Sequence, residues 1–284
     1  MNETAWITDI QRSSLHDGPG VRTTFFFQGC NLHCAWCHNP ETISTHPKLM
    51  TDLAKCIGCG RCQGVCQTES CTACGRCAAV CPTGARKLSG RQISLTDAIE
   101  AAARDLPFYG PDGGVTCSGG EPMLQVAFLV PFLRALKERG IHTAVDTAAN
   151  LPWELYERVL PYTDLFLVDY KLADEEAHRH WTGVSRKQIA QNLRSFGACG
   201  KPLRIRVPII PGVNDTEENL TAMAEELLAS GITGPVDLLP FHRLGQRKYD
   251  ALGIPYAFAD ALPPTAERMN ELRAIVRHAG LTVN

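Results

Sequence analysis

The chain lacks any long apolar run. None of its 284 residues falls in a stretch of the roughly 20 consecutive apolar residues that a membrane-spanning helix requires. Met1 to Arg12 holds no basic stretch followed by an apolar one, so no secretory leader is read there. Runs of Lys or Arg are missing too. Acidic and basic residues are mixed along the chain to a net charge of -2, which leaves no electrostatic footprint for DNA or RNA. These absences predict a cytoplasmic protein with no membrane and no nucleic-acid partner.

What the chain has in excess is cysteine, 13 in all. Reducing conditions discourage structural disulfides, so this number points to bound metal. A stapled secreted scaffold conflicts with both the length and the missing leader. Eleven of the cysteines lie between Cys30 and Cys81, mostly at spacings of three or four residues, whereas Cys117 and Cys199 stand alone.

The length suits one large α/β domain or two modest ones. Six short apolar segments, Thr23–Phe27, Val115–Ser118, Thr143–Asp146, Leu165–Tyr170, Leu203–Ile210 and Val236–Leu239, recur with helical segments between them. Such alternation predicts parallel strands with crossover helices. The helices expected are Ser94–Leu106, Val126–Arg139, Trp153–Leu160, Glu175–Trp181, Lys187–Phe196, Thr216–Ala229 and Ala266–Arg277. In the first, Ser94 is read as N-cap, Asp97 as its capping-box partner, and Ile99, Ala102, Ala103 and Leu106 as the buried face. Gly140 and Gly231 are expected to stop two others. Six units are too few for a closed eight-unit barrel, so an open partial (β/α)6 barrel is predicted, with a doubly wound sheet as the alternative. Ser118 to Pro122, Asp146-Thr147, Asp169 to Lys171 and Pro240 to His242 follow strands, and the C-terminal ends of parallel strands are where ligands gather.

The segment from Cys56 to Cys81 lacks apolar periodicity and reads as a small insert held by metal. Residues 1–47 and 91–284 then make the barrel, and 48–90 the insert. Its two runs, Cys56-x-x-Cys59-x-x-Cys62-x-x-x-Cys66 and Cys71-x-x-Cys74-x-x-Cys77-x-x-x-Cys81-Pro82, have the bacterial ferredoxin spacing. By that rule Cys56, Cys59, Cys62 and Cys81 hold one 4Fe-4S cluster, and Cys66, Cys71, Cys74 and Cys77 the other. Gln67 stands where a proline usually follows the fourth cysteine. Zinc sites use paired C-x-x-C units across a longer spacer, which does not match this spacing. Cys30, Cys34 and Cys37 are only three, so a third cubane there keeps one iron open to an outside ligand unless Cys117 closes it.

With Trp36 before its last cysteine and His38-Asn39-Pro40 after it, the C-x-x-x-C-x-x-C motif resembles the glycyl-radical-enzyme activating enzymes of the radical S-adenosylmethionine (SAM) superfamily, the pyruvate formate-lyase activating type. The resemblance extends over nearly the whole chain. It continues in His16 to Arg22, Phe26 to Cys30, Ser118 to Pro122, Leu167 to Lys171, Arg206 to Gly212 and Leu239 to His242. The two-cluster insert resembles a subset of these activases.

The resemblance implies that the open iron chelates the amino and carboxylate groups of SAM. Reductive cleavage then gives a 5′-deoxyadenosyl radical that takes hydrogen from a backbone glycine of a partner enzyme. Carried over by motif, Gly119, Gly120 and Glu121 pass near the SAM amino group. Trp36 and His38 lie near the adenine, Asp169 and Lys171 near the ribose and carboxylate, and Arg206 and His242 near the methionine moiety. Asp146, Thr147 and Asp169 resemble a monovalent-cation site, although Ala148-Ala149 follows where relatives often have Asn-Gly. Asp17 is placed beside SAM or the incoming glycyl loop. Flavodoxin or ferredoxin is implied as electron donor, and a monomer is expected to meet a large protein partner.

Taken singly, each residue has a plainer reading: a turn at Gly119-Gly120, a strand-end cap at Asp146, a surface ion pair at Arg206, a core histidine at His242. Their joint occurrence at strand ends favours the activase. The competing functions are a radical SAM enzyme acting on a small molecule or modified peptide, and an electron-transfer or zinc-stabilised interaction protein.

Overall fold

The computed structural model describes residues 3–67 and 70–284. Met1 and Asn2 of the expected first segment, and Thr68 and Glu69 of the expected insert, lie outside the described residues.

Strands β1 (Thr4–Ser14), β2 (Arg22–Phe27), β5 (Arg91–Ser94), β6 (Gly114–Gly119), β7 (His142–Thr147), β8 (Leu165–Asp169), β9 (Leu203–Ile209) and β10 (Val236–Pro240) form one sheet, in the order β10-β9-β8-β7-β6-β2-β1-β5. The six strands expected from the sequence, β2 and β6 to β10, are mutually parallel and adjacent in chain order. This is the open partial (β/α)6 barrel. Two antiparallel strands, β1 and β5, extend it at one edge and were not expected. Thr4–Ser14 is mostly polar beyond Ile7, and β5 has only four residues, so neither gives the apolar signal of an interior strand.

Side chains alternate between the two faces of each strand. Phe25, Val115, Cys117, Val145, Phe166, Val168, Ile205 and Val207 turn outward into the main apolar core, where Phe128, Leu129 and Phe132 of helix Val126–Glu138 pack. Ala144, Leu165 and Leu167 form a small separate cluster on the inner face.

The helices begin where the sequence predicts, and capping side chains fix four of those starts, at Ser94, Asp174, Thr216 and Thr265. Ser94 accepts from the Asp97 N–H and Thr216 from the Asn219 N–H. Gly140 and Gly231 adopt left-handed backbone at the far ends of Val126–Glu138 and Glu217–Ala229. One helix differs from expectation. It ends at Ala103 and buries Ala98, Ala101 and Ala102, while Leu106 starts a separate turn with Pro107 and is exposed. Pro107 cannot donate to a preceding carbonyl, so the helix is not continued through it.

The segment expected as an insert stands on a two-stranded sheet, β3 (Leu49–Thr51) paired antiparallel with β4 (Arg86–Leu88). Lys48 and Ser89 clasp its base: the Lys48 N–H donates to Ser89 Oγ and the Ser89 N–H to the Lys48 carbonyl, both at 2.8 Å.

Candidate active site

The three-cysteine loop leaves the end of β2 and is sewn to the barrel by backbone bonds. Cys30 N–H donates to the Ile43 carbonyl (3.1 Å), His33 to Thr182 (2.8 Å) and Ala35 to Trp181 (2.9 Å), and Cys37 N–H turns back to Cys34 (3.0 Å). Two sulfurs accept main-chain N–H groups, Cys30 Sγ from Leu32 and Cys37 Sγ from Asn39, each at 3.4 Å. Burial pushes the Cys30 and Cys37 thiols up to about 12, and raises Cys34 as well. A cationic centre bonded to the sulfurs is what would hold them as thiolates at neutral pH. Soft sulfur donors with N–H bonds to them suit an iron–sulfur cluster. Cys117 cannot complete the set: it is fully buried in the main core, on the outward face of β6, among the residues that meet the helices.

Gly119 and Gly120 hold the loop in place. Gly119 has φ +115°, and the Gly120 N–H donates to the Phe27 carbonyl and Glu121 N–H to that of Gly29. A Cβ on Gly120 would fall 2.2 Å from the Gly29 carbonyl oxygen, and one on Gly119 2.3 Å from the Phe27 nitrogen. The glycines are therefore demanded first by the chain's own backbone, one residue before Cys30, and not only by a ligand. The Glu121 carboxylate is fully buried and engaged within the protein. It accepts from the N–H groups of Met123 (3.2 Å) and Ala148 (2.9 Å) and from Thr147 Oγ (2.8 Å). Burial raises it to about 7 against these bonds. Glu121 and Thr147 thus tie the ends of β6 and β7 together, which leaves the main chain of Glu121, rather than its carboxylate, to face a ligand.

The inner face carries a row of charges at the strand ends. Ser118 Oγ donates to Asp146 Oδ2 (2.7 Å), and Arg206 donates to the same oxygen at 3.0 Å. Asp146 Oδ1 is buried with no partner. Burial lifts Asp146 to about 6, although Arg206 opposes this. Arg206 neighbours Asp169 across the β8–β9 ladder, and Asp169 pairs with Lys171 at 2.9 Å. Burial works against the charge on Lys171 and on Arg206. For Lys171, Asp169 and the charge of a Cys34 thiolate overcome it; for Arg206, Asp146 and Asp169 do, so both are raised above their ordinary values. Asp17 completes the row. Its carboxylate accepts from Ser14 (2.6 Å) and Thr24 (2.8 Å), and its carbonyl from Thr116 (2.6 Å). The buried Arg22 holds this loop from below through Thr116 Oγ and the Val115 carbonyl.

His38 stacks on His242, ring centroids 4.2 Å apart, and its Nε2 is buried without a partner. Burial, then the neighbouring His242, depress His38 to about 4, so the ring is neutral. Trp36 is buried in a second apolar cluster with Phe241, Tyr249, Tyr256 and Phe258, which backs the cysteine loop. Lys248 reaches across to Asn39 and Glu41, both at 2.6 Å, and fastens residues 246–252 over the loop. Nothing in sequence spacing marks Lys248, because some 209 residues separate it from Asn39. Ser118 lies inside an expected motif, yet its bond to Asp146 shows only in the fold.

In the insert, the turns Arg61–Gly64 and Arg76–Ala79 pack on one another, each entered through a left-handed glycine, Gly60 or Gly75. Its cysteines, like all those described, are free of disulfides. Among the described residues, no three His, Cys, Asp or Glu side chains gather tightly enough to grip a single metal ion. A tetrahedral zinc needs that arrangement, whereas cubane cysteines bind separate irons. A cavity of about 540 Å³ opens at the other mouth of the barrel, beside His142, Asp164, Lys201 and Arg204 at the strand starts, remote from the cysteine loop. Among the described residues, no helix is long and apolar enough to cross a membrane.

A barrel of this topology with this loop matches known proteins. The sequence model of the Radical SAM superfamily matches residues 24–224. The trans-4-hydroxy-L-proline dehydratase activating enzyme of Clostridioides difficile is 36% identical, over 95% of this chain and 95% of its own. The benzylsuccinate synthase activating enzyme of Thauera aromatica is 38% identical, over 98% and 91% respectively. Among solved structures, a domain of the pyruvate-formate lyase-activating enzyme from Bacteroides vulgatus superposes with a TM-score of 0.52 at 31% identity, over 61% of this chain and 98% of that one. The chain belongs to the radical SAM superfamily and, within it, to the activating enzymes of glycyl radical enzymes. Membership of the superfamily implies a 4Fe-4S cluster and SAM.

Proposed function

We propose that this chain installs a glycyl radical on a partner enzyme, with a 4Fe-4S cluster on Cys30, Cys34 and Cys37 and SAM bound over the inner face of the barrel. The observation that carries this reading is the cysteine loop, fixed by Gly119 and Gly120 beside the row Asp17, Asp146, Arg206, Asp169 and Lys171. When bound, the cluster and SAM supply an electron and a scissile S–C bond, giving methionine and a 5′-deoxyadenosyl radical that takes hydrogen from a backbone glycine.

The protein's part is to bind, orient and exclude water. Lys171 and Arg206 offer fixed cations to the carboxylate and methionine end, and Asp169 an acceptor to the ribose and amino groups. The main chain of Gly119, Gly120 and Glu121 runs along the ligand. The neutral His38 ring, held by His242, flanks the adenine, and Trp36 supports the loop behind it. Asp17 faces SAM or the incoming glycyl loop. Asp146 Oδ1 is the acceptor a monovalent cation would use beside Asp169; Thr147 contributes less, since its hydroxyl serves Glu121.

Two further 4Fe-4S clusters belong to this reading: Cys56, Cys59, Cys62 and Cys81 hold one, and Cys66, Cys71, Cys74 and Cys77 the other. They occupy an insert at 48–90 between barrel segments 1–47 and 91–284. Flavodoxin or ferredoxin serves as donor to a cytoplasmic monomer. The test is Cys34→Ala, which is expected to abolish 5′-deoxyadenosine formation in the reduced enzyme. Persisting SAM cleavage would refute the assignment.

A further inference from the structure

The two insert runs repeat the sequence Cys-x-x-Cys-Gly-Arg-Cys, at Cys56 to Cys62 and Cys71 to Cys77. Their backbones repeat as well: Gly58 and Ala73 are both left-handed, as are Gly60 and Gly75. Arg61 and Arg76 therefore hold equivalent places, each as the first residue of its turn. Among the described residues, only Arg76 of the two is engaged. Its Nε donates to Cys74 Sγ at 3.4 Å, while its NH1 donates to Gln67 Oε1 at 2.7 Å. The difference lies after the fourth cysteine of each run. Gln67 supplies an acceptor that anchors the guanidinium, whereas Pro82 at the matching place has none, and Arg61 makes no side-chain hydrogen bond among the described residues. Arg86 of β4 also faces the Cys77 sulfur.

We propose that Arg76, anchored by Gln67, tunes the insert electronically: it makes the cluster on Cys66, Cys71, Cys74 and Cys77 the more easily reduced of the two. This rests on the insert holding two 4Fe-4S clusters. Each takes one electron from a low-potential one-electron protein donor, with no bond made or broken, and so becomes one charge more negative. A cationic N–H donor on a ligand sulfur stabilises that added charge. The donors around Cys81, a ligand of the other cluster, are the neutral backbone N–H groups of Thr83, Ala85 and Arg86 and the Thr83 hydroxyl. A neutral donor stabilises added charge less than a cationic one. Arg76 is exposed, so salt weakens its charge effect while leaving the N–H···S bond. The electron rests on this cluster before passing onward.

The test is an EPR-monitored redox titration of the reconstituted enzyme and its Arg76→Met, Gln67→Ala and Arg61→Met variants, each checked for iron content. Wild type should hold about twelve irons, four for each of three cubanes; a count near four would remove the insert clusters and the proposal with them. With the iron present, Arg76→Met should make one insert cluster harder to reduce, by about three- to tenfold in its reduction equilibrium, near or below the low end for a hydrogen bond to a charged group. Gln67→Ala should shift the same cluster less, and Arg61→Met neither. Equal shifts in Arg76→Met and Arg61→Met, or none in Arg76→Met, would overturn the proposal. Should Arg76→Met lose its cluster, Gln67→Ala decides by the same criterion.

Discussion

At the scale of residues, the site depends on buried acids. Glu121 titrates near 7 in the fold against an ordinary 4.5, because burial outweighs its hydrogen bonds. The folded state therefore keeps a proton that the unfolded chain releases, and stability is lost as pH rises through 7. Between pH 5.5 and 8 this loss amounts to about 2 kcal/mol. Glu121→Gln should remove that slope, read as a smaller fall in denaturation midpoint from pH 5.5 to 8 than in wild type. The variant will start less stable, because a Gln amide turns an NH₂ toward one of the N–H groups that the carboxylate now accepts. Asp146 makes a second case. Among the described residues, Arg206 is its one cationic partner at hydrogen-bond distance, and both are largely buried. Arg206→Met leaves a buried carboxylate without its cation, and should cost about 3 kcal/mol or more in chemical denaturation. Asp146→Asn in the same background should recover much of that loss.

At the scale of elements, the close approach of the β6–Glu121 turn to the β2 loop governs the three cysteines. Gly120→Ala sets a Cβ against the Gly29 carbonyl, and overpacking of this kind costs about 1–3 kcal/mol. The variant should lose the iron held at Cys30, Cys34 and Cys37, and with it SAM cleavage, while keeping the iron of the insert. Gly64→Ala, with open space around it and ordinary backbone, should leave the iron count unchanged. The same elements show what was legible in the sequence. The six parallel strands could be read because each interior strand is buried on its helix side and apolar there, as in Leu165–Asp169. The cysteine spacings are visible in the sequence because each proposed ligand set comes mostly from contiguous chain. β1 could not be read, since it is mostly polar beyond Ile7 even though it pairs with both β2 and β5, and neither could the Lys248 strap, which depends on tertiary approach. Glu121 was legible as a motif residue, but not its carboxylate's turn toward Thr147, which a rotamer decides.

At the scale of the whole molecule, the barrel holds one charged inner face under a cysteine loop, with an insert standing on the β3–β4 stem beside it. Residues 246–252 brace that arrangement by packing on β3 and bonding to the cysteine loop through Lys248, so the insert stem and the loop share one support. Lys248→Met should therefore lower SAM cleavage more than it lowers overall stability, measured as 5′-deoxyadenosine yield against denaturation midpoint. The most direct measurement mixes the reduced, reconstituted enzyme and SAM anaerobically with a panel of glycyl radical enzymes that includes trans-4-hydroxy-L-proline dehydratase and benzylsuccinate synthase, and records EPR spectra alongside 5′-deoxyadenosine. A glycine-centred doublet that appears with 5′-deoxyadenosine, and vanishes in Cys34→Ala, is the predicted result; 5′-deoxyadenosine without a doublet for any partner would contradict the account.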